Sequence, residues 1–141
     1  EFFRDVEDWE FRVYYIRPAS AQDVVEAMPR TAIEDSLRTI EGLLSREQLQ
    51  PAVLISWATF EALGRALLPQ KLTRPQAPRQ LVETLASDGF VTPSEADVAR
   101  RIADERNRIA HGDLQLGVER AEICQFIAIL NTLLGLVPAS R

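Results

Sequence analysis

Residues 51–68 read PAVLISWATFEALGRALL, and the apolar side chains of this stretch are spread around nearly the whole circumference of a helix. Pro51 suits a first helical turn, where backbone N–H groups have no intrahelical partner, and Pro69 ends the segment. The pattern therefore predicts a helix from Ala52 to Leu68. A helix that is apolar on almost every side has to lie at the centre of a bundle or against a partner.

Further helical segments lie on both sides of this stretch. A period of 3.6 residues predicts a helix that starts at Pro29 or Thr31 and runs to residue 44, with others over 79–87, 93–110 and 118–136. The helix over 93–110 has the clearest ends. Its start combines an N-cap, a first-turn proline and a capping-box glutamate, and a cap glycine follows its end, at Thr92, Pro93, Glu95 and Gly112. Because the connections are short, we predict an all-α, up-and-down antiparallel bundle of four main helices plus a short extra helix.

Residues 1–20 differ from the rest of the chain. Residues 9–16, WEFRVYYI, are aromatic and β-branched with partial alternation, which is typical of a β-strand. A single strand is not stable alone. It has to pair with an upstream domain, pair with a second copy of the chain, or lie across the helices. We therefore divide the chain into a strand-like extension, residues 1–20, which fits the tail of an upstream domain, and a helical domain, residues 21–141.

The composition excludes several classes of protein. Hydrophobic residues make up 46% of the chain and charged residues 26%, as in ordinary globular domains. No apolar run approaches the ~20 residues that span a bilayer, and the charged N-terminus does not resemble a signal peptide, so we expect a cytoplasmic protein without a membrane partner. The only cysteine, Cys124, excludes an intrachain disulfide and a cysteine zinc site, and its apolar neighbours predict that it is buried. No cofactor and no metal are predicted.

The segment ERNRIAHG, residues 105–112, holds the only histidine of the chain. An imidazole transfers protons near neutral pH, and a guanidinium binds phosphate oxygens in a bidentate manner. His111 and Arg106, with Asn107 as an orienting or phosphate-binding group, therefore predict acid/base chemistry on a phosphate ester. A second interpretation stays open, because basic residues are common at helix C-termini: His111 caps the helix, and Arg106 pairs with an acidic side chain.

Charge alone does not decide whether the partner is a nucleic acid. The net charge of -5 argues against a general polyanion binder. Four arginines nevertheless concentrate in the segment that ends at His111, namely Arg100, Arg101, Arg106 and Arg108. Their local charge favours RNA only if these side chains share an exposed face.

Residues 106–111 resemble the Arg-x4-6-His signature of the HEPN superfamily, including the asparagine after the arginine that many members have. Residues 51–63 are similar to the apolar helix with an embedded Trp and Glu in prokaryotic HEPN domains. The resemblance covers residues 29–137. It implies a helical bundle that dimerises and brings two motifs together at the interface, and active members of the family are metal-independent endoribonucleases.

The resemblance also implies roles for individual residues. His111 would assist transfer of the 2′-hydroxyl proton, and Arg106 would stabilise the developing phosphorane charge. Asn107 and Glu61 would be polar supports. The candidate substrate-binding residues are Arg101, Arg108 and Glu61. For Glu61 an ion pair with Arg65, four residues later on the same helix, is the alternative.

The sequence is compatible with two other functions. Many HEPN domains are inactive partners, so the alternative is a non-catalytic dimerisation or regulatory module attached to another effector or nuclease domain. A nucleotide-binding sensor that uses the arginine cluster is the third hypothesis. Short HEPN segments of this kind resemble those that follow restriction-endonuclease-like domains in predicted bacterial defence proteins. The expected partners are a second copy of the chain, RNA and an upstream domain of the same polypeptide.

Overall fold

A computed structural model describes residues 25–139, and these residues form five α-helices and no β-strand. The helices are α1 (Arg30–Ser45), α2 (Leu49–Leu67), α3 (Pro78–Ser87), α4 (Pro93–Ala110) and α5 (Arg120–Leu136). The predicted all-α fold is confirmed. The predicted N-terminal strand lies outside the described residues. None of the described helices is long and apolar enough to cross a membrane.

The helix bounds match the prediction most closely where cap residues mark them. Both ends of α4 were predicted correctly, because Thr92 and Gly112 mark them in the sequence. By contrast, α2 begins at Leu49 rather than Ala52. Pro51 is then the third residue of the helix, which is tolerated because the N–H groups of the first turn have no partner within the helix.

Contacts between helix ends establish the antiparallel arrangement. Arg30 at the start of α1 donates to the carbonyls of Leu134 and Val137 at the end of α5, over 2.9 and 2.7 Å. Arg120 at the start of α5 donates to the carbonyl of Leu44 at the end of α1, over 2.7 Å. These contacts fix α1 and α5 in opposite directions.

A side chain at the start of α2 relates this helix to α4. Gln50 donates to the carbonyls of Leu114 and Leu116, over 2.8 and 3.1 Å, just after α4 has ended. Therefore α2 and α4 also run in opposite directions. The start of α2 lies beside the loop that follows His111.

The core surrounds α2, as its apolar sequence predicts. This helix packs against every other described helix, whereas α1 and α4 do not contact each other. Trp57 and Phe60 of α2 are buried against Phe126 of α5, with ring centroids 5.2 to 6.3 Å apart. Aromatic pairs of this kind stabilise a fold by about 0.5–1.5 kcal/mol in addition to the burial of their apolar area. This packing holds α5 against α2.

Candidate functional site

The start of α4 is closed by side chains. The Thr92 hydroxyl accepts a hydrogen bond from the backbone N–H of Glu95 over 3.3 Å, and the Thr92 N–H donates to the Glu95 carboxylate over 2.8 Å. This is the predicted capping box, and it satisfies two N–H groups that the helix leaves unpaired. Both side chains are therefore occupied by a structural task.

The end of α4 is closed by the backbone. The N–H of Gly112 donates to the carbonyl of Ile109, and the N–H of Asp113 donates to the carbonyl of Arg108, both over 3.0 Å. This pair of bonds is a Schellman motif, which needs a left-handed residue just after the helix. Gly112 supplies it with a φ of 97°, a conformation that is unfavourable for residues with a Cβ.

The imidazole of His111 takes no part in this cap. Its backbone N–H donates to the carbonyl of Asn107 over 3.0 Å, but its side chain is exposed and makes no hydrogen bond within residues 25–139. The second interpretation of the sequence, in which the imidazole binds the last carbonyls, is therefore not the arrangement found. The only histidine stands at the helix end without a structural partner there.

Arg106 is half-buried, and its guanidinium is oriented by its neighbour. It follows the buried residues Ala103 and Ile102 by three and four positions, so its side chain extends from the face of α4 that packs into the bundle. Its Nη1 donates to the Oδ1 of Asn107 over 2.9 Å. On an ideal helix Arg106 and His111 lie about 140° apart, and no hydrogen bond joins their side chains within the described chain. Arg106 and Asn107 are thus brought together, whereas His111 stands separately.

The other arginines of α4 are bound to carboxylates. Arg101 pairs with Glu122 of α5, and Arg108 donates to Asp113 over 2.6 and 3.1 Å. Arg100 binds Glu83 and Asp97 over 2.6 and 2.7 Å. Within the described residues, Arg106 is the arginine of this helix that has no carboxylate partner. Two of the predicted substrate-binding residues, Arg101 and Arg108, are therefore engaged, and RNA would have to compete with an acidic residue for each.

Glu61, the third predicted substrate-binding residue, interacts with side chains of its own helix, α2. Its carboxylate accepts from the indole N–H of Trp57 over 2.7 Å and lies 4.0 Å from Arg65. Glu61 follows Gln50 by eleven residues, about 16 Å along the helix, and Gln50 is the α2 residue that contacts the loop after the motif. Neither the hydrogen bond nor the ion pair of Glu61 in the described chain reaches the motif. They match the alternative in which this residue pairs along its own helix.

Glu105 is a feature of the site that the sequence analysis missed. Its Oε2 is buried and has no hydrogen-bond partner among the described residues. Burial raises the pKa of this carboxyl to about 7, and the negative charge of Glu122 adds to the effect, while Arg101 and Arg108 oppose it. A signal was present, because Glu105 continues the stripe of Ile102 and Ile109 at helical spacing. A carboxyl group in such a buried stripe is predicted to have a shifted pKa.

Cys124 is exposed, and the prediction that it is buried was wrong. The residue lies on α5 between Ile123, which is buried, and Gln125, which is exposed. Apolar neighbours in the sequence do not fix the face of a helix on which a residue lies. Within the described chain, no cluster of three or more histidine, cysteine, aspartate or glutamate side chains is arranged to hold a metal ion.

Comparison of the chain with protein-family models, curated proteins and solved structures found no significant match. The chemistry of the site therefore follows from its own residues. Those residues are a guanidinium held by an amide and an exposed imidazole at the end of one helix.

Proposed function

We propose that this chain is a HEPN-like domain that cleaves RNA without a metal ion, through a composite active site formed by two copies. One observation carries the proposal. At the C-terminal end of α4 the backbone makes the cap, so His111 has no structural task, and Arg106 has no carboxylate partner in the described chain. A half-buried guanidinium without an anionic partner favours an anion from outside, such as a phosphate group.

The proposed reaction is a transesterification at one phosphodiester. The 2′-oxygen of the ribose attacks phosphorus as His111 accepts its proton, and the bond from phosphorus to the 5′-oxygen breaks. A second proton donor is needed for the leaving 5′-oxygen, and His111 of the second copy would supply it. Arg106 would bind the non-bridging oxygens, where negative charge increases in the transition state. The products are a 2′,3′-cyclic phosphate and a 5′-hydroxyl.

Asn107 and the neighbouring arginines have different roles in this proposal. Asn107 holds the guanidinium of Arg106 in a fixed direction, so that less side-chain freedom is lost when a phosphate binds. Arg101 and Arg108 would contact the RNA backbone only after leaving Glu122 and Asp113. This competition predicts weak binding of RNA that decreases steeply with added salt.

The decisive experiment measures cleavage of single-stranded RNA by the full chain in EDTA. We expect Arg106→Ala to reduce the rate by about 10²–10³-fold. The matched control is Arg100→Ala, which removes an arginine of the same helix whose carboxylate partners lie on α3 and α4. Equal rates for the wild type and Arg106→Ala, or equal losses for the two variants, would contradict the proposal.

Mixing experiments test whether the site is composite. Wild-type chains are mixed with chains that carry both Arg106→Ala and His111→Ala, and the subunits are allowed to exchange. If one site needs both copies, activity decreases with the square of the wild-type fraction, because only dimers of two wild-type chains are complete. A linear decrease would show that each chain acts alone.

The second candidate function is a non-catalytic dimerisation or regulatory module. The carboxylates of Glu122 and Asp113 favour it, because they neutralise Arg101 and Arg108. Light scattering distinguishes the outcomes together with the cleavage assay. A dimer that cleaves no RNA supports the module, and a strict monomer contradicts both functions.

A further inference from the structure

An apolar groove of about 310 Å³ runs between α1 and α2. Its walls include Ala32 of α1 with Ala58 and Ala62 of α2. The hydroxyls of Ser36 and Thr59 also line it, but they bind each other over 2.7 Å. The groove therefore offers an apolar surface whose hydroxyl groups already have partners. Its volume is at the lower end of the roughly 300–1,000 Å³ that ligand pockets have, which is enough for a few side chains.

The chain enters the described structure at the mouth of this groove. Met28, which lines the groove, is 50% exposed and directly precedes the N-cap residue of α1. Val25 is placed by its N–H, which donates to the carbonyl of Thr73 over 3.1 Å. The 24 residues before Val25 are therefore tethered next to an apolar surface. A segment held this way binds at a high effective concentration.

These residues have the composition that such a groove accepts. Six of the ten aromatic residues of the chain precede residue 25, at positions 2, 3, 9, 11, 14 and 15. Aromatic side chains bury the largest apolar areas, about 150–250 Å² each. Left in water, so many aromatic side chains in a short segment are unfavourable.

A polar group in the groove indicates the charge of the occupant. Arg65 lines the groove, and its Nε is buried without an acceptor in residues 25–139. Glu61 lies 4.0 Å from its Nη1, too far for a hydrogen bond. A buried donor without a partner is unfavourable. Residues 9–16 supply an acceptor beside their aromatic side chains, because Glu10 is next to Trp9.

We propose that residues 9–16 bind in the groove between α1 and α2 of their own chain, with aromatic side chains over Ala58 and Ala62 and an acidic side chain at Arg65. The tether is long enough. The eight residues from 17 to 24 span at most about 29 Å when extended, whereas α2 covers about 15 Å from Ile55 to Arg65. This binding is independent of the proposed RNA cleavage.

Disulfide trapping in the full chain tests the proposal. The background carries Cys124→Ser and Ala58→Cys, and a second cysteine replaces each of residues 9–16 in turn under a glutathione redox buffer. We expect some of these positions to give an intrachain disulfide in the monomer, at a yield that does not depend on protein concentration. The matched control keeps Ala58 and uses the native Cys124, which is exposed on α5, and we expect it to give several-fold less intrachain disulfide.

Each other outcome of this trapping overturns the proposal. Disulfides only between chains would assign the groove to a second copy, and no disulfide at any position would leave the segment outside the groove. Equal yields of intrachain disulfide with Ala58→Cys and with Cys124 would show that residues 9–16 contact the two positions only through random collisions.

Limited trypsin digestion provides a second measurement without cysteines. Ala58→Asp places a charge in the groove, so we expect several-fold faster cleavage after Arg12. Ala121→Asp, an exposed alanine of α5, is the control and leaves the rate unchanged. Equal rates of cleavage after Arg12 in the two variants would contradict the proposal.

Discussion

The two ends of α4 are closed by different parts of the chain. At the start, the side chains of Thr92 and Glu95 bind backbone N–H groups. At the end, backbone N–H groups bind the last carbonyls, and Gly112 makes the turn possible. Polar side chains at the start are therefore explained by the helix itself. At the end, the cap explains Gly112 but leaves His111 without a structural role in the described chain.

The largest effect is expected from His111→Ala, which tests the unexplained side chain directly. The rate of RNA cleavage should decrease by about 10²–10⁴-fold, the contribution of a general acid or base. The free energy of unfolding should change by less than about 0.5 kcal/mol, because exposed side chains outside structural features contribute little. Cleavage kinetics and urea denaturation on one preparation check both. Unchanged cleavage would show that His111 has no catalytic role. A large loss of stability would show that it has a structural role, like Thr92 and Glu95 at the start of α4.

Gly112→Ala should affect stability and cleavage together. A Cβ in the left-handed region is unfavourable by about 1–2 kcal/mol, and the backbone turn also positions His111. Gly117→Ala is the matched control, because Gly117 has open space around it and no positive φ. Thermal unfolding measures the difference. Equal melting temperatures for the two variants would show that the Schellman motif does not hold this end.

Thr92→Ala should reduce stability without reducing cleavage. Loss of an N-cap side chain typically lowers the free energy of unfolding by about 1 kcal/mol, and the start of α4 lies at the opposite end of the helix from the motif. Ser94→Ala is the control, since Ser94 is exposed and its hydroxyl contacts only Thr92 in the described chain. A loss of cleavage in Thr92→Ala at temperatures where it stays folded would contradict the division of roles.

The smallest effect is expected from Glu105→Gln, and it depends on pH. The pKa of Glu105 is raised from 4.5 to about 7 in the folded chain, so between these values the folded state binds more protons than the unfolded state. Stability therefore decreases as pH rises through this window, and the penalty is complete above about pH 7. Because solvent screens a half-buried carboxyl, we expect Gln to stabilise by about 1 kcal/mol or less at pH 8. Urea denaturation of the wild type and of Glu105→Gln at pH 5 and 8 measures this difference in stability. If the stabilities of the two proteins changed with pH in the same way, the raised pKa of Glu105 would be contradicted.

The sequence correctly predicted features that depend on residues close together along the chain, such as helices and their ends. The bounds of α4 follow from Thr92, Pro93 and Gly112, which act within a few residues of themselves. The central position of α2 follows from its apolar circumference. Cys124 was predicted wrongly, because its apolar neighbours gave no information on which side of α5 it would lie.

The tertiary structure decided which charged groups meet. Glu122 follows Arg101 by 21 residues, and their ion pair exists because α5 returns beside α4. The same packing buries the carboxyl of Glu105 next to that pair. Local patterns fix helices and their caps, because those interactions span three to five residues. Ion pairs and buried charges depend on distances through space, so only the folded chain distinguished Arg106 from the other arginines of its helix.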